Sequence, residues 1–126
     1  MRHLFSRADP QIASWLKATP LYPLLQKQTM RQWKQHGCPV PPPNVVKQRT
    51  VRDYGKKYNI DILVETGTFW GDMIAANKHH FRQVISIELS EYLYEQARKR
   101  FSRYKHIKLI HADSTHALGE VLATLD

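Results

Sequence analysis

The chain has 126 residues, 42% of them hydrophobic and 24% charged, with one cysteine and a formal charge of +8. This length and hydrophobic content fit one globular domain and exclude a disordered polypeptide, and no apolar run approaches the roughly 18 residues of a membrane-spanning helix. Because the sequence shows neither a signal-peptide pattern nor a second cysteine for a disulfide, we expect a cytoplasmic protein that does not enter membranes.

Residues 1–43 are predicted to form a helical extension that ends in a proline-rich connector. The pair Asp9-Pro10 is typical of a helix start, and a second helix is expected to end at Gly37. Residues 38–43 contain four prolines, which favour a stiff extended segment because proline has no amide hydrogen to donate.

The first half of the chain carries the whole basic excess. Residues 1–60 hold eleven Lys and Arg against two acids, whereas residues 61–126 hold eight against nine. A basic region often binds nucleic acid or another acidic partner. The alternative is that these side chains only solvate helix faces, and it is favoured because no basic run is dense enough to form a dedicated patch.

Residues 44–126 alternate between apolar, β-prone runs and helix-forming segments. Strands are predicted over residues 60–65, 84–88 and 107–111. Helices are predicted over residues 44–59, capped by Asn44 and ended by Asn59, over residues 71–81, opened by Asp72, and after the caps Ser90 and Ser114. Near-continuous apolar strands joined by helices predict an α/β fold: a Rossmann-like parallel sheet with helices on both faces, of which the first three strands are present.

In such sheets, ligands bind at the carboxyl ends of the strands. Gly67 follows the first strand and permits a sharp turn, while Gly71 lets the next helix start close to that strand. Glu88 ends the second strand, where a carboxylate can accept hydrogen bonds from both hydroxyls of a ribose. Asp113 follows the third strand, where it can accept a hydrogen bond from an adenine amine. These positions predict a ligand that contains adenosine.

Glu65 distinguishes between adenosine ligands. A carboxylate about 4 Å from a phosphate costs on the order of 4 kcal/mol at an effective dielectric constant of about 20, and Phe69 replaces the middle glycine that clears space for a pyrophosphate. A ligand with a sulfonium and an ammonium reverses the sign of that interaction, and helix amides near Gly71 can bind its carboxylate. S-adenosylmethionine therefore fits the pattern, whereas NAD and ATP fit poorly.

Three segments resemble the first three cofactor motifs of class I S-adenosylmethionine-dependent methyltransferases: residues 64–71, 85–88 and 111–114. The resemblance covers residues 44–126 and implies a Rossmann-like S-adenosylmethionine-binding domain. It implies that Glu88 holds the ribose, that Asp113 faces the adenine, and that Gly67 and its neighbours line the methionine moiety. The residues predicted to bind the cofactor are Glu65, Thr66, Gly67, Thr68, Phe69, Gly71, Glu88, Asp113 and Ser114.

Phe69 departs from the family pattern, which has a glycine at this position. Phe69 and Trp70 are expected either to wall the cofactor pocket or to anchor the helix that follows. An alternative role for the strand-end acids is that they only cap the next helices. The histidines lack the spacing of metal ligands, so no metal site is expected.

The part of the family's fold that binds the methyl acceptor has no counterpart in this sequence. The resemblance implies a fourth strand beside the first, with acceptor-site and catalytic residues in its loop, so the catalytic residues are not identified. We expect the chain to be a truncated product, a split subunit or a gene fragment that is inactive alone. Its first strand would then be an edge that exposes Ile62 and Val64 and offers a place for self-association or a complementing chain.

Two functional hypotheses stay open. The first is a methyltransferase, or its cofactor-binding part, whose unidentified acceptor is expected to be a small molecule rather than a nucleic acid. The second is a non-catalytic remnant or split subunit that binds an acidic partner through its basic N-terminal region.

Overall fold

A computed structural model describes residues 16–125, so the helix predicted at Asp9-Pro10 begins outside the described residues. The chain divides into two compact units between Lys47 and Gln48. Among residues 16–125, no helix is long and apolar enough to cross a membrane. The helices are α1 (Tyr22–Gln35), α2 (Asn44–Lys57), α3 (Asp72–Asn77), α4 (Glu91–Phe101) and α5 (Ser114–Ala123), and the strands are β1 (Ile62–Thr66), β2 (Gln83–Glu88) and β3 (Ile107–His111).

In the first unit, α1 ends where the chain enters the left-handed region of backbone space. Gly37 and Cys38 have φ angles of +75° and +58°, which confirms the predicted end of this helix. Residues 38–43 then form neither helix nor strand, as predicted. The indole N–H of Trp33 donates to the carbonyl of Pro39 at 2.9 Å and holds this segment against the end of α1.

The start of α2 differs from the prediction, whereas its end agrees with it. Asn44 is the first residue of the helix rather than its cap, because the carbonyl of Pro43 already accepts backbone hydrogen bonds from the first turn. The predicted end is confirmed. Asn59 has a φ of +53°, and the amide of Ile60 donates to the carbonyl of Gly55 at 2.8 Å.

The three strands form a parallel sheet in the order β1-β2-β3, which confirms the predicted Rossmann-like arrangement. Helices pack on both of its faces. On one face, the buried core comprises Ile74, Phe81, Val84, Ala97 and Phe101, contributed by β2, α3, α4 and the segment before β2. On the other face, the buried core comprises Ile85, Ile87, Ala117 and Val121, contributed by β2 and α5.

Helix α3 is shorter than the predicted helix over residues 71–81. It comprises only Asp72–Asn77, and the amide of Lys78 closes its end by donating to the carbonyl of Ile74. The chain then leaves the helix so that the ring of Phe81 enters the core beneath β2. The prediction was wrong because Phe81, although it has helical spacing, belongs to the segment that leads into β2.

Strand β1 lies at one edge of the described sheet, as expected, but its side chains are better covered than predicted. Ile62 and Val64 are half-buried rather than exposed. Val64 packs against the core on the α5 side, and Ile62 lines an open groove of about 440 Å³ together with Val51 and Tyr54 of α2.

Candidate cofactor-binding site

The loop between β1 and α3 turns through three left-handed residues. Gly67, Phe69 and Gly71 have φ angles of +79°, +50° and +75°. The amide of Gly67 donates to the carbonyl of Ile87 at 2.8 Å, and the amide of Gly71 closes the turn on the carbonyl of Thr68. The loop is therefore tied to the end of β2 before the chain enters α3.

The two glycines of this loop have different surroundings. A Cβ atom on Gly71 would lie 2.6 Å from Cε2 of Phe101, so the loop passes very close to α4. The sequence predicted a close approach to the strand, but the nearest neighbour is this helix. A Cβ atom on Gly67 would meet no atom within 4 Å. Packing thus requires Gly71, whereas the space beside Gly67 is open to a ligand.

Polar side chains are buried where the strands reach this loop. On β2, the apolar Val84 is followed on the same face by Ser86 and Glu88, which are 0% and 7% exposed. On β1, Leu63 is followed on that face by Glu65, which lies directly beside Ser86 in the register. The sheet face that packs on α3 and α4 therefore becomes polar at its carboxyl end, where ligands bind such folds.

Glu88 is held by two backbone amides. Its Oε2 accepts from the amide of Phe69 at 2.9 Å, and its Oε1 accepts from the amide of Ser90 at 2.9 Å. The left-handed conformation of Phe69 places its amide in position for this bond. Each carboxylate oxygen keeps a second lone pair that can accept a hydrogen bond from a ligand hydroxyl.

Glu65 is a half-buried carboxyl group with an altered protonation equilibrium. Burial raises the pKa of Glu65 from its ordinary value of 4.5 to about 7. The hydroxyl of Ser86 donates to Oε1 of Glu65 at 2.8 Å and opposes this rise in pKa, and the charge of Glu88 adds to it. An adjacent cation would favour the ionised form of such a group.

Asp113 is the cap of α5, a role that the sequence assigned to Ser114. Its Oδ1 accepts from the amide and the hydroxyl of Thr115 at 2.8 and 2.7 Å, and these hydrogen bonds lower the pKa of Asp113. The assignment to Ser114 was wrong because Asp113 has the extended backbone of a cap and Ser114 is already helical. The predicted cap Ser90 is confirmed, since its hydroxyl accepts from the amide of Leu93.

Two aromatic residues of the loop differ in their contacts. The carbonyl of Trp70 accepts a hydrogen bond from Arg100, and its ring lies edge-on to Tyr92, with centroids 6.3 Å apart. Trp70 therefore joins the loop to α4, whereas the two roles expected from the sequence were to wall the cofactor pocket or to anchor the helix that follows, α3. Phe69 contacts the ring of Trp70, but 63% of its own surface is exposed.

Sequence reasoning missed Ser86, the residue that joins strand and loop. Its hydroxyl lies 2.5 Å from Oγ1 of Thr68 and 2.8 Å from Oε1 of Glu65. The available signal was a single hydroxyl in the middle of an apolar strand, since a buried polar group requires a hydrogen-bond partner.

The structure brings most of the predicted cofactor-binding residues together. Asp113 and Ser114 follow β3, next to the end of β2, where the amide of Ala112 donates to the carbonyl of Glu88 at 3.1 Å. The predicted residues on or between β1 and β2 are Glu65, Thr66, Gly67, Thr68, Phe69, Gly71 and Glu88.

Within residues 16–125, no group of three or more His, Cys, Asp or Glu side chains is arranged to hold a metal ion.

Comparison with known proteins identifies the fold. No family model and no curated protein matches the sequence. Among solved structures, an O-methyltransferase from Bacillus cereus in complex with SAH matches with a TM-score of 0.56 and 11% identity, over 90% of this chain and 55% of that chain. The methyltransferase domain of bacterial CtHen1 matches with a TM-score of 0.50 and 20% identity, over 56% of this chain and 41% of that chain. The chain therefore has the class I methyltransferase fold, as the motif resemblance implied, and spans about half the length of these structures.

Proposed function

We propose that this chain binds S-adenosylmethionine and forms the cofactor-binding part of a methyltransferase. The observation that carries the proposal is a pair of carboxyl groups on adjacent strands, the half-buried Glu65 and the buried Glu88, beside the open backbone at Gly67. The fold shared with an O-methyltransferase in complex with SAH supports this class of ligand.

Four residues of the site have a proposed role in holding the cofactor. Glu88, fixed by two amides, accepts hydrogen bonds from the ribose hydroxyls, and the second oxygen of Asp113 accepts one from the adenine amine. Gly67 lets the methionine moiety approach the backbone, and ionised Glu65 attracts positive charge. The cofactor, when bound, supplies an electrophilic methyl group on a sulfonium, and these residues orient it for an acceptor.

We propose that the methyl acceptor is a small molecule. Phe69 and Tyr92 expose aromatic surface beside the loop, which suits an acceptor with apolar surface. Residues 61–126 also lack the basic excess that phosphate contacts require.

Gly67→Ala is expected to weaken S-adenosylmethionine binding by about tenfold or more, while unfolding free energy falls by only about 1 kcal/mol. The stability cost is the left-handed φ of +79°, since the added Cβ meets no protein atom within 4 Å. Gly37→Ala is the matched control, because Gly37 has a φ of +75° and equally open space. Isothermal titration calorimetry and urea unfolding measure the two effects. Equal binding losses in both variants, or a folded wild-type chain that binds no cofactor, would contradict the proposal.

Glu88→Gln is expected to weaken S-adenosylhomocysteine binding by about tenfold and to remove the preference for the ribose form over its 2′-deoxy analogue. Glutamine replaces one of the two acceptor oxygens with a donor, so it cannot bind two amides and two hydroxyls. Glu95→Gln removes the same charge from an exposed ion pair with Arg98 and serves as control. A Glu88 variant that keeps the wild-type preference for ribose would show that this carboxylate does not bind the hydroxyls.

A further inference from the structure

Ser86 is a buried polar residue with two hydrogen-bonded neighbours on different elements. It is 0% exposed and lies on β2 between Glu65 of β1 and Thr68 of the loop. A hydroxyl has one hydrogen to donate, and Ser86 donates it to Oε1 of Glu65. In its contact with Thr68, Ser86 is then the acceptor. The three residues form one directed chain of hydrogen bonds, from Thr68 through Ser86 to Glu65.

We propose that Ser86 is a positioning residue that links the cofactor loop to Glu65 and thereby sets how strongly the site prefers a cationic over a neutral adenosine ligand. Because Ser86 has no exposed surface, it acts through its two neighbours and not by touching the ligand. This inference rests on the proposed function, since the ligands that it distinguishes are S-adenosylmethionine and S-adenosylhomocysteine.

The preference follows from the charge of Glu65. An ionised Glu65 attracts a sulfonium, whereas a protonated one does not, and the sulfonium is the group that S-adenosylhomocysteine lacks. Burial and the charge of Glu88 on β2 both favour the protonated form, while the Ser86 hydroxyl favours the ionised form. Removal of that hydroxyl therefore leaves only the influences that keep Glu65 neutral.

The same hydroxyl also holds the loop. Thr68 is 3% exposed, and its carbonyl accepts the amide of Gly71 that closes the turn. Its side chain lies 2.5 Å from Ser86. A substitution at Ser86 should therefore alter both the turn at Thr68 and the carboxyl group of Glu65. A residue that only fills the core would not have this double effect.

The experiment compares Ser86→Ala with Ser102→Ala, which removes an exposed hydroxyl that donates to the carbonyl of Lys99. The first measurement is the pH titration of the Glu65 side-chain carboxyl by carbon NMR in the ligand-free chain. We expect Ser86→Ala to move the midpoint up by about one pH unit and Ser102→Ala to leave it unchanged.

The second measurement is the ratio of S-adenosylmethionine to S-adenosylhomocysteine affinity at pH 6, 7 and 8. We expect it to rise with pH in the wild type and to fall about threefold to tenfold at pH 7 in Ser86→Ala.

The outcomes separate this inference from the proposed function. An unchanged midpoint in Ser86→Ala, or an equal loss of affinity for both ligands, would assign Ser86 a structural role only and overturn the inference. If the wild type binds neither ligand, the proposed function and the ligand preference fail together, while a moved midpoint still supports the link between Ser86 and Glu65. If Ser86→Ala does not fold, Thr68→Val is the test. Valine removes the hydroxyl that donates to Ser86, so the titration midpoint of Glu65 should move up by less than in Ser86→Ala. An unchanged midpoint would overturn the link.

Discussion

Glu65→Gln is expected to stabilise the folded chain by about 3 kcal/mol at pH 8, and by almost nothing at pH 4. The pKa of Glu65 is raised to about 7, so the folded state holds this proton more tightly than the unfolded state does. The stability that Glu65 contributes is complete below pH 4.5 and is lost as the pH rises through about 7. Glutamine keeps the oxygen that accepts from Ser86 but carries no charge.

The measurement is urea unfolding of wild type and variant between pH 4 and pH 8. The wild-type free energy of unfolding should fall relative to that of the variant across this range, and Glu120→Gln, at an exposed position, should follow the wild type. The stabilised variant should also lose the preference for S-adenosylmethionine over S-adenosylhomocysteine. Parallel pH curves for wild type and Glu65→Gln would show that this carboxyl is not destabilised by its burial.

Gly71→Ala is expected to lower the free energy of unfolding by about 3 kcal/mol or more, much further than Gly67→Ala. Both substitutions force alanine into the left-handed region, but only at position 71 does the new Cβ lie 2.6 Å from Cε2 of Phe101. Phe101 belongs to the core that also contains Ile74 and Val84, so neither the ring nor the turn can move away without loss of packing.

A double-mutant cycle with Phe101→Leu separates the two contributions of Gly71→Ala. Leucine removes the outer ring atoms, so Gly71→Ala in that background should cost only the backbone strain, about 1 kcal/mol. Urea unfolding of the four proteins gives the coupling energy. If the cost of Gly71→Ala is the same with phenylalanine and leucine at position 101, the close approach of loop and helix does not restrict this position.

The strands were predictable because a buried parallel strand requires a nearly continuous apolar run, and residues 107–111 were placed with the bounds that the structure gives to β3. The length of α3 was not predictable in the same way. Phe81 has helical spacing from the preceding apolar residues, yet its ring is needed in the core before β2 begins. Periodicity alone cannot distinguish a residue that continues a helix from one that packs beneath the next strand.

In the candidate site, Glu65, Gly67 and Glu88 were predictable because their positions follow from where the strands end. Ser86 was not, because its partner depends on the register between β1 and β2, which a sequence does not specify. Asp113 and Ser114 are equally good helix caps by residue type. The choice between them depends on backbone angles at the end of β3.

The bond between the Phe69 amide and Glu88 limits how this loop can vary among related sequences. The amide reaches the carboxylate from a left-handed residue, a conformation that glycine and asparagine adopt readily and β-branched residues strongly disfavour. Position 69 is therefore restricted by its own backbone, even though its side chain projects into solvent. Phe69 and Glu88 lie 19 residues apart, and these two positions are thus expected to evolve together through a hydrogen bond from the backbone of one to the side chain of the other.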